Sequence, residues 1–389
     1  MKFFHTADWH LGKLVQGVYM TEEQRFVLNQ FLEAIDTEKP DAIIISGDLY
    51  DRAVPPTEAV NLLDELLAEI VLKRHTPVLS IAGNHDSPGR LNFGSMLMKE
   101  TGLHIVGQLT KELKPVILQD EFGEVHFHLI PYADPSQVRH LFDDETVTSH
   151  QEAMRKIVEE IEKELDSTKR HVFVGHAFVT PRGEQEDNTS ESERPLAIGG
   201  AEYVDAALFK RFHYTALGHL HQAHYVLNET IQYAGSPLKY SISEEHHKKG
   251  FYIVQLDQGG NITLEKRLLK PNRDMRTIEG YMQDILQNTT ISEDFVFVKL
   301  LDETPILSPM EQIRTVYPNA MHVERKVFQP ITLSREKGQI GRSKTDDFTL
   351  FQAFYTEISG KAPSEETEKL FKEVLQSLMM EEREGGIKA

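Results

Sequence analysis

Short apolar runs alternate with longer amphipathic segments over the first two thirds of the chain. Each run has the length of a β-strand and ends at a glycine, an aspartate or a proline. The predicted strands contain the sequences FFHTAD, DAIIISGD, TPVLSIAGNHD, VHFHLIPY, HVFVGH, YTALGH, IQYAGS and GFYIVQL. Strands that alternate with helices in this way predict an α/β domain over residues 1–270.

The amphipathic segments between these strands predict helices. The first begins at Thr21, where the sequence TEEQ has the form of a capping box, and apolar residues then keep helical spacing up to Ile35. Further helices are predicted near residues 57–74, 88–101 and 150–165.

The pattern changes at Pro271, and residues 271–336 predict a small α+β module. The sequences YMQDILQ and PMEQIRTV have helical spacing, whereas DFVFVKLL and MHVERKVF are typical of strands. We expect this module to form a domain of its own beside the first.

Residues 337–389 predict a polar linker followed by two amphipathic helices. Their apolar residues recur at i, i+3, i+4 and i+7. The two stripes are Phe351, Phe354, Tyr355 and Ile358, and then Phe371, Val374, Leu375 and Leu378. Two short helices cannot bury both stripes by themselves, so we expect them to dock either on their own chain or on a partner.

Composition narrows the possible functions. The absence of cysteine excludes disulfides, thiolate nucleophiles and cysteine-bound zinc, and it fits a cytoplasmic protein. The apolar runs are too short to span a membrane. The net charge of -19 argues against a broad basic surface for nucleic acid. A polyanionic substrate would therefore require metal ions, a local basic patch or a basic partner.

Side chains that can bind metal follow five of the predicted strands. They are Asp8 and His10, Asp48, the run Asn84–His85–Asp86, His176, and His219 with His221. Carboxyl ends of strands in α/β sheets are where functional sites assemble, and a neighbouring glycine allows close approach. Asp, Asn and His without Cys suit Mn²⁺, Fe²⁺ or Zn²⁺. With one ligand from the run 84–86 the ligands number seven, which are too many for one ion and suit two ions that share a carboxylate.

Each short motif also has a structural alternative. Gly47-Asp48 is a common turn sequence, and Gly83–Asp86 could form an Asx turn that caps the next helix, with Pro88 in its first position. The sequence from Gly218 to His221 is more specific, because alternate residues of a strand point the same way. The occurrence of all these motifs, in order, at successive strand ends favours a metal centre.

These residues resemble the motifs of the calcineurin-like metallophosphoesterase superfamily, which are D-x-H, G-D-x-x-D, G-N-H-D/E, G-H and G-H-x-H. They stand here at Asp8–His10, Gly47–Asp51, Gly83–Asp86, Gly175–His176 and Gly218–His221. The resemblance implies a sandwich of two mixed β-sheets flanked by helices. It also implies a first ion at Asp8, His10, Asp48 and His221, and a second at Asp48, Asn84, His176 and His219. Asp48 would bridge the two ions.

Within that superfamily the chain is similar to the SbcD family of bacterial nuclease subunits. The similar segments are HTADWHLG, GDLYDRAVPP, GNHDSPGRL, ALGHLHQA and YAGSPLKYSISEE, and residues 271–336 match the capping region of that family. The resemblance implies a DNA exonuclease and hairpin or blocked-end endonuclease of DNA repair and recombination, with two metal ions, expected to be Mn²⁺. It further implies a homodimer in a two-plus-two complex with an SbcC-type coiled-coil ATPase. The residues expected to bind that ATPase are Phe351, Phe354, Phe371, Leu375 and Leu378.

Several residues beside the ligands have predicted roles of their own. His85 is the candidate to orient the phosphate or to protonate the leaving oxygen, because imidazole titrates near neutral pH. Arg52 and Arg90 are candidates for contact with DNA phosphates. Asp51 stands where archaeal and eukaryotic relatives carry histidine, and we expect it to support a ligand.

Two other functions remain open at this point. The sequence Asp51-Arg52 also occurs in the G-D-x-x-D-R motif of serine/threonine phosphatases, so a phosphatase or small-molecule phosphodiesterase is an alternative. A scaffold without catalytic activity is a weaker alternative, because all seven ligands are present. The polar loop at residues 182–194 carries no assignment relative to DNA.

Overall fold

A computed structural model describes residues 1–184, 189–193, 196, 202–287, 290–325 and 347–385, without the side chains of 347, 357–358 and 376–385. The chain divides into two compact units, Met1–Arg276 and Thr277–Ala389. The predicted linker at 337–346, the side chain of Leu378 and part of the 182–194 loop lie outside the described residues. In the described ranges, no helix combines the length and the apolar character needed to cross a membrane.

Strands and helices follow one another along the part of the chain that the structure describes. The strands are β1 (Lys2–Thr6), β2 (Leu14–Val15), β3 (Val18–Tyr19), β4 (Ala42–Ile45), β5 (Val78–Ile81), β6 (Leu103–Val106), β7 (Val116–Asp120), β8 (Gly123–Ile130), β9 (Arg170–His176), β10 (Phe178–Thr180), β11 (Tyr203–Asp205), β12 (Tyr214–Gly218), β13 (His224–Val226), β14 (Asn228–Tyr233), β15 (Gly250–Leu256), β16 (Ile262–Leu268), β17 (Met275–Gly280), β18 (Phe295–Leu300) and β19 (Ala320–Arg325). The helices are α1 (Thr21–Glu38), α2 (Thr57–Ala68), α3 (Pro88–Asn92), α4 (Ser95–Met98), α5 (Pro135–Phe142), α6 (His150–Glu162), α7 (Met282–Leu286), α8 (Pro309–Ile313), α9 (Asp347–Ser359) and α10 (Glu365–Gly385).

Two six-stranded sheets form the first unit. Their strand orders are β16-β15-β1-β4-β5-β6 and β13-β14-β12-β9-β8-β7. Both are mixed, because β1, β4, β5 and β6 run parallel in the first sheet and β8, β9, β12 and β14 in the second, while the other strands pair antiparallel. The predicted sandwich of mixed sheets with flanking helices is confirmed.

The apolar core has three layers, and alternate residues of one strand serve two of them. Ala42 and Ile44 of β4 lie between the two sheets, with Phe3 and Tyr214. Ile43 and Ile45, by contrast, pack in the cluster that contains residues of α1 and α2. A strand covered on both faces reads as a continuous apolar run, and this explains the sequence AIII.

The N-terminus of α1 corrects one prediction. The helix begins at Thr21, but its cap, Met20, makes no side-chain cap hydrogen bond, so the predicted capping box is wrong. Gln24 is fully buried, and its side-chain amide accepts from the backbone N–H of Gly12 and donates to the carbonyls of Trp9 and His10. The residue supports the loop after β1 rather than the end of its own helix.

The segment predicted as one helix near residues 88–101 is divided. α3 ends at Asn92 and α4 begins at Ser95. The break leaves Phe93, Met96 and Leu97 exposed by 85%, 77% and 80%. These three exposed residues lie within five positions of sequence on the surface of the first unit and are here called the apolar patch.

The second unit contains the sheet β17-β18-β19 and, further along the chain, the helices α9 and α10, here called the terminal helical pair. Val296 and Val298 of β18 pack with Ile313 and with Tyr317 in the core of the module. In the terminal helical pair, the rings of Phe351 and Phe371 stack with centroids 3.9 Å apart and an interplanar angle of 8°. These two predicted partner-binding residues therefore hold the two helices together.

Candidate metal centre

Five strand ends bring the seven predicted ligands together at one edge of the sandwich. β1, β4 and β5 of the first sheet lead to Asp8 and His10, Asp48 and Asn84, while β9 ends with His176 and β12 leads to His219 and His221. All are buried except Asn84, which is half-buried. We call Asp8, His10, Asp48, Asn84, His176, His219 and His221 the strand-end cluster.

One half of the strand-end cluster is formed by His10 and His221. Their Nε2 atoms are 3.0 Å apart, and Nε2 of His10 lies 3.5 Å from Oδ2 of Asp48. Two nitrogens that bind one ion at about 2.1 Å and at a right angle would be about 3.0 Å apart. The observed spacing of the two imidazoles fits a shared metal ion.

The other half is formed by Asn84 and His176. Oδ1 of Asn84 lies 2.9 Å from Nε2 of His176, and that nitrogen lies 3.5 Å from Oδ2 of Asp48. The ring of His219 is beside that of His176, with centroids 5.4 Å apart. The same oxygen of Asp48 is thus equally distant from His10 and His176, as a bridging ligand requires.

Asp8 gives the strongest indication that a cation belongs here. Its Oδ1 accepts a hydrogen bond from the backbone N–H of His219, at 2.9 Å. Its Oδ2 is buried and has no hydrogen-bond partner. Leaving a buried polar atom unpaired is costly. A divalent ion would satisfy this oxygen, and a mixed set of carboxylate, amide and imidazole ligands suits Mn²⁺, Fe²⁺ or Zn²⁺.

Burial and the mutual interactions of the buried groups set the ionisation of the cluster without metal. Burial raises the pKa of Asp8 to about 7, against the opposing effect of His176. Burial acts on Asp48 in the same direction, but His176 and His10 hold the pKa of Asp48 well below its usual range. Asp48 and Asp8 in turn raise the pKa of His176 to about 9, although burial would lower it. Asp48 therefore carries negative charge between the two halves.

Glycines beside the ligands allow the strand ends to meet. A Cβ on Gly83 would lie 2.1 Å from Oδ1 of Asp48, and one on Gly218 would lie 2.0 Å from the carbonyl oxygen of Ser46. Both separations are far below van der Waals contact. Any larger residue at either position would displace the neighbouring strand end.

Asp86 joins two of the loops. Its carboxylate accepts hydrogen bonds from the backbone N–H groups of Leu49, Tyr50 and Gly83, at 3.0–3.1 Å. Both oxygens are used in this way, so the last residue of G-N-H-D ties its own loop to the loop after β4. Those contacts fix the positions of Asp48 and Asn84 relative to each other.

His85 and Asp51 lie beside His10. The His85 ring is buried 4.5 Å from that of His10, and its Nδ1 donates to the carbonyl of Asp51 at 2.8 Å. The Asp51 carboxylate pairs with Lys13 at 2.8 Å and lies 3.8 Å from Nδ1 of His10. His10, Asp51 and His85 also offer ligand atoms that all lie within 4.8 Å of one another. The catalytic role of His85 stays a prediction.

The two candidate DNA contacts are at the surface. The side chain of Arg52 is 48% exposed, with Nη2 3.7 Å from Oδ2 of Asp51, and Arg90 is exposed on α3. Exposure is compatible with a phosphate contact and does not distinguish it from simple solvation. Both assignments stay predictions.

Sequence reasoning missed the residues that hold the ligand loops from behind. Gln24 and Tyr240 both bond to the carbonyl of Trp9, and Glu244 and Lys249 form a buried ion pair beside His221. For Gln24 a signal exists, because it is a polar residue on the apolar stripe of α1. No comparable pattern marks Glu244 or Lys249, which come from the segment between β14 and β15.

The chain matches two described families. The calcineurin-like phosphoesterase family matches residues 1–223, and the type 5 capsule protein repressor C-terminal domain matches residues 271–359. The first match covers all seven residues of the strand-end cluster. It confirms the metallophosphoesterase fold and supports a site for two metal ions.

Two curated proteins, both SbcD subunits of the nuclease SbcCD, are similar along almost their whole length. The protein from Staphylococcus saprophyticus is 35% identical over 384 residues, which cover 98% of this chain and 99% of that protein. The protein of the same description from Staphylococcus epidermidis is 34% identical over 388 residues, covering 99% and 100%.

The solved structures that match are more distant in sequence. A dimetal phosphatase from Danio rerio is 12% identical, with a TM-score of 0.40 and coverage of 69% of this chain and 96% of that one. A protein from Thermus thermophilus is 11% identical, with a TM-score of 0.37 and coverage of 68% and 98%.

Proposed function

This chain belongs to the SbcD family of nuclease subunits, within the calcineurin-like phosphoesterases, and from that premise we propose that it hydrolyses DNA phosphodiester bonds at a dimetal site, together with an SbcC-type ATPase. The observation that carries the proposal is the convergence of seven metal-capable side chains on Asp48, within a chain that matches nuclease subunits over nearly its full length. The phosphatase alternative has no comparable support.

In the proposed assignment, Asp8, His10, Asp48 and His221 hold the first ion, and Asp48, Asn84, His176 and His219 hold the second. Bound there, the ions supply electrostatic stabilisation of the charge that develops on the phosphoryl oxygens. His85 orients the phosphate or protonates the leaving oxygen from its buried place beside His10. Asp51, paired with Lys13, supports His10.

We propose Mn²⁺ as the metal, because imidazole and carboxylate ligands in a mixed set suit it and cysteine is absent. Substrates are double-stranded ends, cleaved as an exonuclease, and hairpins or blocked ends, cleaved as an endonuclease. We propose a cytoplasmic location, because the proposed substrate is chromosomal DNA. Arg52 and Arg90 supply local phosphate contacts, while the net charge of -19 leaves most of the DNA grip to the partner.

The terminal helical pair is the proposed contact for SbcC. Phe354 and Leu370 are each 62% exposed, and Val374 is 51% exposed. Phe351 and Phe371 support this surface from between the helices, and Leu375 lies half-buried in α10. An apolar face on a helix suits docking against another helix, such as the base of a coiled coil. The division into residues 1–270, 271–336 and 337–389 remains part of this proposal.

We further propose a homodimer within a two-plus-two complex. The apolar patch of Phe93, Met96 and Leu97 supports it, because three large apolar side chains exposed together mark interaction surfaces.

The test is cleavage of an end-labelled DNA hairpin by the purified chain, with and without the SbcC-type partner, in Mn²⁺. Wild type should cleave, and Asp48→Asn should lose the activity because both halves of the strand-end cluster depend on that carboxylate. The monoester p-nitrophenyl phosphate is assayed in parallel. Turnover of the monoester by a complex that leaves DNA intact would overturn the nuclease proposal in favour of a phosphatase.

A further inference from the structure

Behind His221 lies a buried pair of charged residues that the proposed function does not use. Glu244 ends a short 3₁₀ turn between β14 and β15 and is fully buried. Its Oε1 is 3.0 Å from Nδ1 of His221, and its Oε2 accepts from the ammonium group of Lys249. That ammonium group also donates to the carbonyl of His221 at 2.9 Å. The pair thus contacts both the ring and the backbone of one ligand.

A buried ion pair is a poor way to stabilise a fold. Desolvation of the two charges offsets most of their attraction, and an apolar pair of the same volume is often as stable or more so. Its place against a metal-binding histidine therefore points to a role in the site. A histidine that donates Nδ1–H to a carboxylate keeps the lone pair on Nε2. Here that is the atom that faces Nε2 of His10.

We propose that Glu244 is the positioning residue of His221, holding its imidazole in the tautomer and orientation that the first metal ion needs, with Lys249 as the counter-charge. This inference rests on the proposed dimetal function. Since the carboxylate and the ring nitrogen are in direct contact, the effect of Glu244 falls on the ion at His10 and His221 rather than on the ion at Asn84 and His176.

The same group of residues anchors the segment 189–193. The hydroxyl of Ser192 donates to Glu244 and lies 2.8 Å from Nδ1 of His221, and Glu193 accepts from the backbone N–H of His221. Ser192 is neutral and half-buried, so it is a weaker orienting group than the carboxylate. Ser192→Ala should therefore weaken metal binding less than removal of Glu244.

The experiment measures Mn²⁺ binding by the full chain, counted as free ion by electron paramagnetic resonance. Wild type should bind two ions. Glu244→Gln, which keeps an acceptor without the charge, should weaken one of them about 10-fold, and the double variant Glu244→Leu/Lys249→Met should weaken the same ion about 100-fold. The second ion should keep its affinity in both variants.

The double variant replaces the ion pair with apolar side chains, so it leaves no unpaired buried charge and guards against misfolding of the single variant. Glu245→Gln is the matched control, because Glu245 is the next residue and its carboxylate lies 3.5 Å from exposed His246. Its Mn²⁺ binding should equal that of wild type. Wild-type affinity for both ions in the two Glu244 variants would overturn the proposal. Equal weakening of both ions would do the same, because it indicates a general structural role.

Hairpin cleavage by wild type separates this inference from the proposed function. If wild type binds two Mn²⁺ ions but does not cleave the hairpin, the nuclease proposal is wrong. The role of Glu244 is then decided by the Mn²⁺-binding measurements alone. Cleavage by wild type, with unchanged binding in the Glu244 variants, would retain the nuclease and remove Glu244 from the site.

Discussion

At the scale of single residues, the side chains of the strand-end cluster lie close together, and several of these residues have a strained backbone. Asp8, His10, Asp48 and His219 all have positive φ angles, of 53°, 45°, 51° and 106°. Residues other than glycine adopt such angles at a cost of about 1–3 kcal/mol each, with Asn, Asp and His among the least penalised. The cost is tolerated where the surrounding loops over-determine the geometry, as the three bonds of Asp86 do here. Four of the ten non-glycine residues with positive φ in the described ranges are thus residues that face the proposed ions.

We predict that Gly83→Ala inactivates the centre. The added Cβ would lie 2.1 Å from Oδ1 of Asp48, so that carboxylate must move. A displacement of this size should reduce hairpin cleavage about 100-fold and destabilise the fold by about 1–3 kcal/mol. Rates of hairpin cleavage and urea unfolding measure the two effects.

Gly89→Ala is the control for this substitution. Its new Cβ would meet only Nε2 of Gln108, at an ordinary 3.7 Å, so activity and stability should stay close to wild type. Full activity in Gly83→Ala would show that Asp48 tolerates displacement and is not the bridging ligand.

At the scale of elements, the terminal helical pair separates internal contacts from an exposed face. Phe371 stacks on Phe351 and also lies beside Phe348, with centroids 6.3 Å apart. Phe354 of α9 and Leu370 of α10 remain 62% exposed. Each of the two predicted stripes therefore serves two purposes. Part of each joins the helices, and part stays available for docking.

We predict that Phe354→Glu abolishes co-purification with the SbcC-type ATPase. A carboxylate in the centre of an apolar contact must be desolvated without a partner, and that outweighs the binding energy of a small interface. Helicity of the full chain by circular dichroism should be unchanged, because the stacked pair of Phe351 and Phe371 is not altered.

Thr356→Glu introduces the same charge about 200° around the same helix. Thr356 is exposed, and we expect this control to co-purify like wild type. If Phe354→Glu also retains the partner, the docking surface lies elsewhere.

At the scale of the whole molecule, the net charge indicates that this chain does not supply most of the DNA-binding surface itself. A net charge of -19 is unfavourable for binding DNA broadly, whereas the buried cluster of Asp and His needs only a local approach of phosphate. We propose that assembly with a partner and with a second copy supplies the surface that this chain lacks.

We predict that Leu97→Glu converts the proposed dimer to a monomer. Leu97 is 80% exposed in the apolar patch, and a charge there would be buried unpaired twice across a two-fold interface. Light scattering after size-exclusion chromatography measures the mass. The control is Ile117→Glu, at an exposed position of β7 in the second sheet, and this variant should remain dimeric. A dimer in Leu97→Glu would exclude this patch as the interface.

The order of the motifs along the sequence was enough to predict most of the fold and which strand ends meet. Apolar runs such as AIII, each followed by a glycine and a metal-capable residue, are local features, and parallel strands deliver their ends to one edge. The two-sheet sandwich, which the resemblance to metallophosphoesterases implied, is confirmed as well. The ligand roles of the cluster remain predictions, although the structure brings all seven residues together.

The sequence by itself therefore determined eight strands of the first unit and the residues that gather at the metal centre, because these depend on short-range pattern and residue chemistry. The two-sheet class was implied by the resemblance to metallophosphoesterases. Only the tertiary structure decided what supports the residues of the metal centre. Gln24 meets Tyr240, and Glu244 meets Ser192, across 216 and 52 positions of sequence. Such contacts carry no periodic signal, since they form only when the whole sandwich has brought distant loops behind the same ligand.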